Sequence, residues 1–79
     1  MSDWSPETAI AMERRHILEG ERRVFRQEAL VEKLVENGRL NQLVHTANEM
    51  LGLLRESLEL SRERLRYLED HYGNAPSRN

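Results

Sequence analysis

Apolar residues recur at helical spacing in two long runs, separated by a short polar break. In the first run Ile10, Ile17, Val24 and Val31 stand seven residues apart, with Leu34 and Val35 closing it. A second line, Ala11, Leu18 and Phe25, runs beside them. In the second run Leu43, Val44, Ala47, Met50, Leu51, Leu54, Leu58, Leu65, Leu68 and Tyr72 make one broad face, flanked by Leu53, Leu60 and Tyr67. This is the period of amphipathic helices. The break, Glu36-Asn37-Gly38-Arg39-Leu40-Asn41, holds a glycine able to take the left-handed conformation that closes a helix. Asn41 is placed to cap the second helix. Upstream, Ser5-Pro6-Glu7 supplies an N-cap, a proline at the first helical position and an acid at the positive end of the dipole. Gly73 and Pro76 are stop signals.

The pattern therefore predicts one domain over residues 1–79. Helix 1 spans 6–36, the bend 37–40 and helix 2 41–72, with a loose tail over 73–79. The fold class is all-α, an antiparallel two-helix hairpin. Residues 1–4 read as a frayed end, yet Trp4 falls at the level of Tyr72 and is expected to pack on it. Two helices bury only one stripe each, little core for so short a chain, and without cysteine no disulfide can compensate. The apolar arcs are wider than one neighbour needs. Two hairpins are expected to pair into a four-helix bundle, as a homodimer. The expected oligomer interface comprises Ile17, Leu18, Val24, Phe25, Val31, Met50, Leu51, Leu54, Leu58, Leu65 and Leu68. Gly20 and Gly52 sit inside the helices at about 1 kcal/mol each relative to alanine, which close helix approach would offset.

Charge adds a second pattern. Arg14, Glu21 and Glu28 recur every seven residues beside the apolar line of helix 1, and Arg55, Arg62 and Glu69 do so on helix 2. Antiparallel matching pairs Arg14 with Glu69, Glu21 with Arg62 and Glu28 with Arg55, each opposite in sign. The axial offset is about four residues, or ~6 Å, within reach of both side chains. This interhelix charge ladder is expected to set register more than stability. Lys33 is the only lysine among 12 basic residues, and arginine's planar fork suits such pairing.

The run His16-Ile17-Leu18-Glu19-Gly20-Glu21-Arg22-Arg23-Val24-Phe25-Arg26-Gln27, with Leu30-Val31, Leu34 and Gly38 after it, resembles a group of short bacterial helical-hairpin proteins. They share an H-x-x-x-G-E-x-R-x-x-R-Q pattern ahead of a glycine and a second helix, and the resemblance covers residues 16–68. It implies the hairpin and carries no assigned activity.

Composition and spacing also exclude. A net charge of −2 and a pI near 5.9 give no general pull toward nucleic acid or anionic membrane. No apolar stretch nears the ~20 residues that cross a bilayer, so a cytoplasmic protein is expected. Glu13 and His16 have the Glu-x-x-His spacing of di-metal bundles, but Glu63, the acid at the matching level, points to solvent. His16 lacks the following acid and nearby proline of histidine phosphoacceptor sites. Ser57 and Ser61 have no histidine one turn away, and no glycine-rich phosphate loop occurs. The expectation is no enzyme, no cofactor, no metal and no catalytic residue. The role expected is structural or regulatory, with itself and an unidentified protein as partners. The alternative is a nucleic-acid-associated regulator using Arg15, Arg22, Arg23 and Arg26.

Overall fold

The structure, a computed structural model, describes residues 4–38 and 41–73. Helix α1 runs Pro6–Glu36 and helix α2 runs Asn41–Leu68, packed antiparallel. Among the described residues there is no strand. The start of α1 follows its capping chemistry. Ser5 is extended (φ −142°, ψ 154°), and its hydroxyl accepts the Thr8 N–H at 3.1 Å with Pro6 entering the first turn. At the other end the Asn37 N–H donates to the Lys33 carbonyl at 3.0 Å and the Gly38 N–H to Val35 at 3.1 Å. Gly38 has φ 64°, the left-handed state that lets the chain turn without a Cβ clash. Asn41 is already the first helical residue of α2 and not the cap expected of it. Residues 39–40, 74–79 and 1–3, which include part of the bend, the loose tail and Pro76, lie outside the described residues.

The two helices meet along a narrow seam. In α1 the covered positions alternate by threes and fours: Ile10, Glu13, Ile17, Gly20, Val24, Gln27, Val31 and Leu34. In α2 they are Val44, Ala47, Leu51, Leu54, Leu58, Ser61, Leu65 and Leu68. Two positions per heptad is the geometry of a coiled-coil seam. The line expected beside Ile10, Ile17 and Val24 was Ala11, Leu18 and Phe25. The second line is instead Glu13, Gly20, Gln27 and Leu34, and Phe25 is left 72% exposed. The hairpin consumes only one stripe, so its core is thin: Ile10, Ala47, Leu51 and Leu58 are the buried apolar residues, and no described side chain is sealed completely.

Helix α2 does not run unbroken to residue 72. Its last turn, Glu69–Gly73, widens into a π-helical turn. His71 stacks on Tyr67 with ring centroids 4.0 Å apart, and its Nδ1–H donates to the Tyr67 carbonyl at 2.9 Å. That carbonyl is also the one that the His71 backbone N–H faces in a regular α-helix. The wider turn carries Tyr72 to Trp4, whose ring it meets edge-on at 5.6 Å and 75°. Trp4 nevertheless stays 58% exposed, so the contact covers one side of the indole only.

Gly20 lies against Leu58: a Cβ built there would stand 3.1 Å from Leu58 Cδ1. Gly20→Ala should leave the melting temperature nearly unchanged, because a helix gain of about 1 kcal/mol offsets the small shift asked of Leu58. Gly20→Leu should overpack the seam and destabilise by about 1–3 kcal/mol. Equal, small effects of both substitutions in urea titrations would show that the helices do not meet there.

Candidate interaction surfaces

Positions next to the seam give the hairpin two unlike sides. Arg14, Glu21 and Glu28 border the Ile10–Ile17–Val24 line of α1, and Arg55, Arg62 and Glu69 border the Leu51–Leu58–Leu65 line of α2. Across that side run three ion pairs: Arg14–Glu69 at 2.9 Å, Arg62–Glu21 at 3.2 Å and Arg55–Glu28 at 2.6 Å. These are the three pairs of the charge ladder, in the register read from the sequence. Arg62 also lies 3.7 Å from Glu59, which Arg66 approaches at 3.8 Å, so the ladder broadens along α2. All six ladder side chains keep a third or more of their surface in water. Each pair is therefore worth about 0.2–1 kcal/mol. The ladder also roofs the seam on this side.

Two seam contacts have no counterpart in the apolar pattern. Glu13 occupies a core position with its side chain only 7% exposed, and both its oxygens accept from Arg64 Nη1 at 3.3 Å. His16 Nδ1 stands 4.0 Å from the same carboxylate. Two turns past Gly20, the Gln27 amide donates to the Ala47 carbonyl of α2 at 2.9 Å. A reading that looks for apolar residues passes over both. The signal that marks them is position: each continues the three-four spacing where a polar residue replaces an apolar one.

The opposite side is open. His16, Glu19, Gly20 and Arg23 of α1 and Leu54, Ser57, Leu58 and Ser61 of α2 line a groove with seam leucines in its floor. Its walls are low because Gly20, Ser57 and Ser61 are small. Toward the bend the same side carries Leu30, Leu43 and Met50, all about half exposed. At the open end Trp4, Met12 and Leu68 surround an apolar hollow beside Glu13 and Arg64.

Of the eleven residues expected at an oligomer interface, the structure places eight in the hairpin's own seam: Ile17, Val24, Val31, Leu51, Leu54, Leu58, Leu65 and Leu68. The hairpin needs them first because they continue its three-four spacing. Leu18, Phe25 and Met50 are exposed. Among the described residues no group of three or more His, Asp or Glu could hold a metal ion: Glu13 is engaged by Arg64, and Glu63 is exposed on the back of α2. His45 pairs with Glu49 at 3.3 Å, far along α2 from His71. No described helix is long and apolar enough to cross a membrane. No family model matches this chain, and no curated protein or solved structure matches it.

Charge reversal at the ladder, Glu21→Arg, should lower stability by about 1 kcal/mol, and adding Arg62→Glu should recover much of it. A double-mutant cycle in urea with no coupling would remove the ladder as a register device. Around Glu13 the effects should be unequal. Arg64→Met leaves a buried carboxylate without its partner and should cost about 1–3 kcal/mol. Glu13→Leu with Arg64→Met should be near neutral or stabilising. A harmless Arg64→Met single variant would show that the carboxylate is better solvated than its burial implies.

Proposed function

We propose that this hairpin is a non-catalytic assembly module that functions as a homo-oligomer, two hairpins pairing into a four-helix bundle. One observation carries the reading: the ladder closes one side of the seam, while the other keeps Leu54 and Leu58 in the floor of an open groove. Packing two open sides together covers that floor and the Leu30, Leu43 and Met50 patches. It also completes a core that a single chain leaves thin. The role is structural or regulatory, with a further protein held on the surfaces the bundle leaves outside. Its proposed setting is the cytoplasm, in keeping with a cysteine-free chain.

A nucleic-acid role for Arg15, Arg22, Arg23 and Arg26 is the second reading. What favours it is that these four arginines meet no carboxylate among the described residues. Overall acidity weighs against it.

Light scattering should return at least twice the 9.3 kDa chain mass. Met50→Glu, which puts a charge into the proposed bundle interface while sparing the seam, should shift the protein toward monomer and lower its melting temperature. A cooperative monomer whose melting is independent of concentration would overturn the bundle.

A further inference from the structure

The arginines divide sharply. Arg14, Arg55, Arg62, Arg64 and Arg66 each engage a carboxylate. Among the described residues Arg15, Arg22, Arg23 and Arg26 meet none; Arg23 lines the open groove, while Arg15, Arg22 and Arg26 point away from the seam, on the outer face of α1, with Glu19 as the one acid among them. Phe25 projects from the same face and is 72% exposed. The outer face of α2 is its counterpart. Glu49, Glu56, Glu63 and Asp70 recur there every seven residues, and among the described residues only Glu49 has an ion-pair partner, His45. Between Glu49 and Glu56 lies a shallow hollow at Gly52 and Leu53. A Cβ at Gly52 would meet nothing within 4 Å, so no contact inside the chain accounts for that glycine.

The two faces match in level as well as in chemistry. Gly20 and Leu58 mark one level of the hairpin, where α1 and α2 touch. Stepping from there in opposite directions, Arg22 falls level with Glu56, Arg15 with Glu63, and Phe25 within a residue of Gly52–Leu53. A copy displaced sideways, without sliding along its axis, would set these residues opposite one another. We propose that the outer face of α1 in one chain docks edge to edge on the outer face of α2 in a second copy. Phe25 fills the Gly52 hollow, and Arg22 and Arg15 pair with Glu56 and Glu63. Each chain carries both halves of the contact, so the interface is heterologous. Repetition builds a row, or a ring if each step turns. This surface is separate from the open groove proposed for the bundle, so either can fail without the other.

The test is sedimentation velocity over a range of concentrations. The wild-type average mass should rise past that of a dimer, and the rise should weaken in high salt as screening shortens. Arg15→Glu with Arg22→Glu breaks the α1 face, and Glu56→Arg with Glu63→Arg breaks the α2 face. None of the four has an ion-pair partner among the described residues, so helicity should hold. Each variant alone should lose the concentration-dependent growth, with edge affinity at least about tenfold weaker, or ~1.4 kcal/mol. Mixed one to one, the intact α2 face of the first meets the intact α1 face of the second, the two reversed faces meet each other with opposite charges, and growth should return. Gly52→Leu should raise helix stability yet block growth, a pair of opposite effects that a purely structural glycine would not produce. A wild-type mass that is flat with concentration, or a mixture that fails to recover, overturns the proposal. So does an α1-face variant that assembles normally but no longer binds a short DNA duplex, since the face would then serve phosphate.

Discussion

Everything in this molecule follows from a packing constraint: two helices side by side can share only one seam, two positions in every seven. The chain spends Leu51, Leu58, Ile10 and Ala47 on it and seals no described side chain completely. Three of the eight α1 seam positions are not apolar, and each has its own reason. Glu13 holds Arg64, Gly20 admits Leu58, and Gln27 ties to the α2 backbone. A slip of one heptad would leave Glu13 buried without Arg64 and set another side chain against Gly20. These exceptions thus specify register where leucines alone would tolerate several.

Register then propagates outward. Once Gly20 lies against Leu58, the long side chains flanking one edge of the seam fall opposite partners of the other sign, and three bridges form. Along the other edge Gly20, Ser57 and Ser61 are small, leaving a groove between His16, Arg23 and the leucines of α2. One covered and one uncovered side is the arrangement on which the proposed bundle rests. The weak energy of each exposed bridge does not diminish this effect, because the roof matters through what it covers.

The partition of arginines belongs to the same logic. Those on the ladder side of the seam pair with carboxylates, and those on the back of α1 meet none among the described residues. In the proposed edge contact, the basic stripe on one edge and the acidic stripe on the other attract one another at a distance. Solubility alone would be served as well by mixed charges on both edges.

The bounds of α1, the Ser5 cap, the left-handed Gly38 and the charge ladder are legible in the sequence, because each depends on neighbours within a turn or on a fixed seven-residue step. The meeting of Trp4 with Tyr72 is legible for the same reason, since an antiparallel bend fixes levels. Which second line joins Ile10, Ile17 and Val24 in the seam is not legible from hydrophobicity. Leu18 and Phe25 are the more apolar choice, yet Glu13, Gly20 and Gln27 are chosen. Only the facing helix decides that, since Arg64, Leu58 and the Ala47 carbonyl lie from 20 to 51 residues away. The π-helical last turn, where His71 meets Tyr67 and Tyr72 meets Trp4, is likewise absent from the apolar pattern. Local chemistry determined where the helices begin and end. Contact between them determined which face of each is inside.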